Sequence, residues 1–491
     1  MRASLTRRLT TTAAAALLAV LVPAAPVAGA QPSAQPPAQP SGEPPQETGS
    51  GPTPPPLGSD TAKPDDNGKP DVPYTPIADK SCVASLPSNV QLRTIPWGQS
   101  VLRFEDLRKF ATGKGQTIAV IDTGVNRHDF LGGRLSGGGD YVVDGGDGLD
   151  DCDGHGTQVA GVIAANPGDK KIGFRGIAYD ANIVSIRQSS KFFEYKPQDK
   201  PSTEHRPGAG SLSTLAKAVV RAADRDVDVI NMSIDTCRSA DRPISGPERE
   251  LQRALRYAVE KQDVVVVSSA GNIPADFCPE QNNADPKHPK FIVSPPWFSE
   301  YVLSVAAVQQ DGRAAEFSMN GPWVSVAAPG TQIISLDPGD KGRLVNVTMS
   351  DNGQRSAIQG TSFAAPYVAG LAALVRERFE KLGRPLRAAE VMERIRATAT
   401  HPAAPDGHNS QVGHGMVNPI AALTTMIPAE EGIAPDEAID IPFEMPPAHE
   451  RDWTPVRVAV LGSGGGLGLL LLTLFIVHTV RRQRRDRVGS A

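Results

Sequence analysis

Aromatic residues make up only 5% of this 491-residue chain, and cysteine occurs four times. A core poor in aromatics must be built from the short and β-branched residues, Ala, Val and Ile. Charge of one sign is also missing. The formal net charge is −4, with no basic patch or stripe of the kind that nucleic-acid binders carry. No internal repeat stands out, which argues against a solenoid or a propeller. A second D-[ST]-G is absent, so "DTG" at Asp122 lacks the partner carboxylate that an aspartic protease needs. The cysteine spacings do not resemble zinc ligand pairs. The acidic run Asp147, Asp150, Asp151 and Asp153 lacks the glycine that a calcium loop requires at its sixth position. It reads as a solvated acidic loop. No metal and no cofactor is called for.

What the chain has in excess is Gly (47) and Pro (44). Residues 31–80, beginning "QPSAQPPAQPSGEPPQETG", are too poor in large apolar groups to fold alone and read as an extended Pro-rich arm. Residues 426–457 read as a second Pro-rich and acidic linker. Ahead of the arm, "MRASLTRR", "AAAALLAVLV" and "AGA" form the charged, apolar and small-residue segments of an export signal over residues 1–30, with cleavage after Ala30. Near the other end, Val458–Val480 is about 23 residues without Asp, Glu, Lys or Arg, enough to cross a bilayer. Arg481, Arg482, Arg484, Arg485 and Arg487 follow within residues 481–491 and should hold that end in the cytoplasm. The expectation is a single-pass protein of the cell membrane, bound to the lipid bilayer through that segment. Its main domain, residues 81–425, would lie outside.

Within that domain, short apolar runs alternate with helical patterns. "TIAVID" (117–122), "NIVSIR" (182–187), "VDVINMSI" (227–234), "VVVVSSAG" (264–271) and "VLSVAAV" (302–308) read as buried strands. Residues 211–226 and 247–261 have helical spacing. The alternation predicts an α/β fold, a doubly wound and mainly parallel sheet with helices on both faces. Such sheets gather their sites at the carboxyl ends of strands. Four polar residues appear there: Asp122 after the first strand, His155 at the start of a helix in "DCDGHGTQVAG", Asn272 in "SSAGN", and Ser362 in "GTSFAAPYVAG". Alone, Ser362 is equally suited to cap a helix. Together the four make a working set. His155 can act as base for the Ser362 hydroxyl. Asp122 can orient the imidazole, and Asn272 with the Ser362 N–H can bind an oxyanion.

An exported chain with four cysteines allows three pairings. Cys237 and Cys278 each follow a strand, and if those strands are neighbours the two lie at one sheet edge. That favours Cys237–Cys278 and leaves Cys82–Cys152.

The motifs "AVIDTGV", "DGHGTQVAG", "SSAGN" and "GTSFAAPYVAG" resemble those of subtilisin-like serine proteases, in the order Asp, His, Asn, Ser, over roughly residues 93–425. With the signal, arm, two disulfides, membrane span and basic tail, the chain is similar to the mycosins, membrane-anchored proteases of type VII secretion systems. The resemblance implies a serine endopeptidase acting on peptides of exported proteins, associated with a secretion complex in the membrane. The rival is a structural subunit in which proteolysis is secondary. It also implies an arm that wraps the catalytic domain, and a substrate-binding strand at Ser233, Ile234 and Asp235 opposite Ala270 and Gly271. The usual Ser-Leu-Gly-Gly is here Ser233-Ile234-Asp235-Thr236, which should narrow or recharge the first specificity pocket. Residues 188–210 read as an insertion beside the sheet, which either gates the cleft or binds a partner, or is a disordered surface loop.

Overall fold

The computed structural model describes residues 52–58, 62–85, 88, 90, 93–196, 206–274, 278–282, 285–349, 355–431 and 454–488. The expected export signal, the first part of the arm, residues 197–205 of the insertion and most of the second linker lie outside the described residues.

Seven strands form the central sheet: β1 (Thr117–Asp122), β2 (Leu135–Asp140), β3 (Asn182–Arg187), β4 (Val229–Met232), β5 (Val265–Ser269), β6 (Leu303–Val308) and β7 (Val326–Pro329). Their spatial order is β7-β6-β5-β4-β1-β3-β2, and every pairing in this sheet is parallel. Strand β1 lies inside the sheet between β3 and β4, where the chain reverses its direction of winding, the position at which parallel sheets open a crevice. The residues of β4, β5 and β6 are all buried, as continuous Val-rich runs covered on both faces must be. Two strands had no clear sequence signal. Both β2, "LSGGGD", and β7, "VAAP", are edge strands, where glycine and proline are tolerated.

Five helices concern the site's scaffold: α1 (His155–Ala164), α2 (Leu212–Ala223), α3 (Gly246–Arg256), α4 (Thr361–Lys381) and α5 (Ala388–Ala397). Helices α2 and α3 pack together, and α1 packs on α4. Capping boxes open α2 (Ser211 with Thr214) and α3 (Ser245 with Glu248), which explains why each begins where it does. Helix α4 is apolar all round from Phe363 to Val375 and buried along most of its length.

The described part of the arm follows the surface of this body instead of hanging free. It lacks the apolar mass to form a core, but it carries charge. Lys63 pairs with Asp224, Asp66 with Arg221, and Asp71 with Lys217. Tyr141 donates from its hydroxyl to Asp66 at 2.6 Å. The arm ends at a disulfide, Cys82–Cys152, and Cys237 pairs with Cys278. Strands β4 and β5 are indeed neighbours. Residues 188–210 are not a structureless loop where described. Ser190–Tyr195 and Arg206–Ala209 form an antiparallel pair, and Thr75–Pro76 of the arm adds to its edge.

A second compact unit starts at Ile420. It contains α6 (Thr454–Val488), 35 residues long, of which Ser463–Arg482 is long and apolar enough to cross a membrane. That stretch begins five residues later than Val458. Gly464, Gly465, Gly466 and Gly468 sit within the helix without breaking it.

Candidate active site

Asp122 closes β1 and is fully buried. Its Oδ1 accepts the Thr123 N–H at 2.8 Å and lies 2.7 Å from His155 Nδ1. His155 is the first residue of α1, reached through Gly154 at φ +77°, a left-handed conformation that glycine adopts without strain. The next residue must also be glycine. A Cβ on Gly156 would stand 2.0 Å from the Gly124 carbonyl oxygen, so glycine lets α1 close onto the end of β1. The His155 side chain stays 29% exposed. Burial pulls its pKa down, but the charge and hydrogen bond of Asp122, with Asp151 and Asp153 behind, outweigh that and hold it above the ordinary value.

The acidic run is not the solvated loop expected. Asp147 and Asp150 are exposed, but Asp151 is buried. It accepts from Thr123 Oγ1 (2.8 Å), Gly154 N–H (2.8 Å), Thr157 N–H (2.8 Å) and Thr157 Oγ1 (2.6 Å). Four donors make an internal carboxylate tolerable, while burial still pushes its pKa up to about 6. Asp153 turns toward the insertion and accepts from Ser190 Oγ and Lys191 N–H. The run therefore braces the turn that carries His155, a role that charge and spacing alone could not signal.

Ser362 is the second residue of α4 and 9% exposed. Gly360, the N-cap, has φ +149°; here the backbone conformation favours glycine, since an added Cβ would meet nothing closer than 3.7 Å. Pro366 lies four residues after Ser362 inside the helix. Proline has no N–H to give the carbonyl four residues back. Ser233 supplies the substitute, donating its hydroxyl to the Ser362 carbonyl at 2.8 Å, while Asn231 donates to Ser233 at 2.9 Å. The Ser233 side chain is thus committed to the serine helix, and only its backbone is free to face a substrate.

Asn272 follows β5 and Gly271. Its Oδ1 accepts both the Thr361 N–H (3.0 Å) and Thr361 Oγ1 (3.1 Å). A backbone N–H can only donate, so the amide oxygen is fixed there and the NH2 is the group left to turn into the cleft. Thr361 was not singled out in the sequence, although "GTS" places it beside the serine.

His155, Ser362, Asn272, Ser233, Ile234 and Asp235 all line one cleft of about 1280 Å³. Ser190, Lys191 and Phe192 of the insertion and Lys80, Ser81 and Val83 of the arm bound it as well. Phe363 lays its ring 5.2 Å from that of His155. Ala270 is fully buried and Gly271 has φ +100°. The Asp235 carboxyl is pushed up to about 6 by burial, against the Ser269 hydrogen bond and the attraction of His155. No group of three or more His, Cys, Asp or Glu residues among the described residues is arranged to hold a metal.

An imidazole backed by a buried acid, with an alcohol and an amide on the same cleft, can perform acyl transfer through a covalent intermediate. Comparison with known proteins agrees. Residues 113–415 match the Peptidase S8 subtilase family. Mycosin-1 of Mycobacterium tuberculosis is 40% identical over 433 residues, 85% of this chain and 93% of that protein. The crystal structure of MycP1 from Mycobacterium smegmatis superposes with a TM-score of 0.67 at 39% identity, covering 74% of this chain and 94% of that one. A chain of an intact ESX-5 inner membrane complex gives 0.68 at 36% identity, covering 85% and 98%. The chain belongs to the subtilase family and, within it, to the mycosins, which makes it a subtilisin-like serine endopeptidase.

Proposed function

We propose that Ser362 is the nucleophile, His155 the general base and acid, and Asp122 the group that orients and charges the imidazole. The observation that carries this is the 2.7 Å contact of His155 Nδ1 with Asp122 at a strand end, in a cleft that Ser362 and Asn272 also line. The Ser362 hydroxyl attacks a peptide carbonyl and passes its proton to His155 Nε2. The Asn272 NH2 and the Ser362 N–H, at a helix start where partial positive charge collects, stabilise the oxyanion. His155 returns the proton to the departing amine, leaving an acyl-enzyme that water hydrolyses by the same route. The Ser233–Ser362 and Thr361–Asn272 hydrogen bonds support this reading by fixing both partners of the reacting carbonyl.

The biological setting follows from the relatives. MycP1 is described as an essential component of the type VII (ESX-1) secretion system, and a similar chain sits in the ESX-5 inner membrane complex. We infer that this chain is held in the cell membrane by α6 with its protease domain outside and its basic tail in the cytoplasm, and that it cleaves exported proteins beside such a complex. The second reading, a structural subunit with secondary proteolysis, is favoured by that same membrane complex. Replacing the chromosomal copy with Ser362→Ala separates them. Loss of cleaved exported products with the complex intact supports the protease role; unchanged processing and secretion would overturn it.

A further inference from the structure

Asp235 presents a carboxylate to the cleft without a counter-ion. Its Oδ2 accepts from Ser269 Oγ at 3.2 Å. Among the described residues, Oδ1 accepts no hydrogen bond and no Lys or Arg pairs with the group. The charged side chain that acts on it is His155. On the side toward Asn272 stands Gly271, where a Cβ would be 3.5 Å from Asp235 Oδ1, 3.5 Å from Met319 Cβ and 3.1 Å from Val293 Cγ1. Glycine there keeps the carboxylate uncovered within an apolar surround. A half-buried charge in such a place is costly until a partner reaches it.

The position identifies the partner. If the cleaved carbonyl binds between Ser362 and the Asn272 amide, the side chain one bond behind that carbonyl enters the part of the cleft that Ile234, Asp235 and Phe317 line. A long apolar stem ending in a cation satisfies both features: the stem lies against Ile234 and Phe317, which line the cleft with Asp235, and the charge meets Oδ1. We propose that Asp235 makes this protease select Arg or Lys as the residue that supplies the cleaved carbonyl; this deepens the assignment of Ser362 as nucleophile and rests on it. An acidic residue there is repelled, and a neutral one gains only apolar contact.

The test uses the full-length chain in detergent and three internally quenched peptides that differ only at that residue: Arg, Met or Asp. Active sites are titrated with a fluorophosphonate, so rates are compared per reactive Ser362. Wild type should cleave the Arg peptide with kcat/KM roughly tenfold or more above the Met peptide, and the Asp peptide least. Asp235→Asn, which keeps the shape, and Asp235→Gly should bring the Arg-to-Met ratio close to one. A wild-type preference for Met over Arg, or a ratio that survives both substitutions, overturns the proposal while leaving the nucleophile in place. Absence of fluorophosphonate labelling together with no cleavage of any peptide would overturn the nucleophile assignment, and this inference with it.

Discussion

At the residue scale, the imidazole of His155, the base proposed above, is the group whose surroundings should set the working pH. Asp122, Asp151 and Asp153 outweigh burial and raise its pKa. The protonated ring cannot act as base, so activity on a neutral peptide should be lost, as pH falls, at a value above the ordinary histidine pKa of about 6.5. Asp153→Asn removes one of those charges, and the midpoint of the kcat/KM profile should move down. The carboxylate of Asp235 acts in the other direction. Its charge is lost below about pH 6, so the Arg-to-Met ratio should shrink there; taking the ratio cancels the titration of His155, the charged group facing it. Asn272→Ala should raise the barrier by about 2.7–4 kcal/mol, as removal of the matching donor does in subtilisin. Thr361→Val, which removes one of two bonds to Asn272, should lower kcat by a smaller factor with KM little changed. The gathering of His155, Asn272 and Ser362 on one cleft, with Asp122 against His155, was legible from strand ends and helix starts, because a parallel sheet delivers its loops to one rim. Asp151 and Thr361 were not: their work lies in hydrogen bonds to backbone that only the folded turn brings near.

At the element scale, helix α4 and the turn before α1 are held by substitutes for bonds that the sequence itself removes. Pro366 leaves the Ser362 carbonyl without a helical donor, and Ser233, 129 residues earlier in the chain, provides one. No local pattern connects those two positions. The strands show the same limit in another form. Buried Val-rich strands such as β5 declare themselves, whereas β2 and β7 at the edges carry Gly and Pro and do not. The disulfide Cys82–Cys152 fastens the arm next to Asp151 and Asp153, where Val83 N–H also donates to the Cys152 carbonyl at 2.9 Å. The bond spans 70 residues, so Cys82→Ser with Cys152→Ser should cost about 4 kcal/mol of stability by loop-closure entropy. Denaturant unfolding of the double variant measures this directly; an unchanged midpoint would mean the ion pairs of the arm suffice alone.

At the scale of the whole molecule, one chain combines a protease body with a 35-residue helix, about 52 Å long at the usual rise per residue, whose stretch Ser463–Arg482 is apolar enough to cross a membrane. Deleting residues 454–491 should move the protein from the membrane fraction to the soluble one while leaving peptide cleavage intact. Continued sedimentation with membranes would point to a second attachment. The composition of the arm was legible as unable to fold alone, yet its docking was implied only by the family resemblance and not by its own residues, because ion pairs between distant segments leave no periodic trace. The central claim is that the Ser362 hydroxyl is activated by His155 and Asp122, and one measurement bears on it most directly: fluorophosphonate labelling of the purified full-length chain, with the modified residue located by mass spectrometry. The account predicts a single stoichiometric adduct on Ser362, absent in Ser362→Ala and strongly slowed in His155→Ala. Full labelling of the Ser362→Ala variant, or an adduct on another residue, would contradict it.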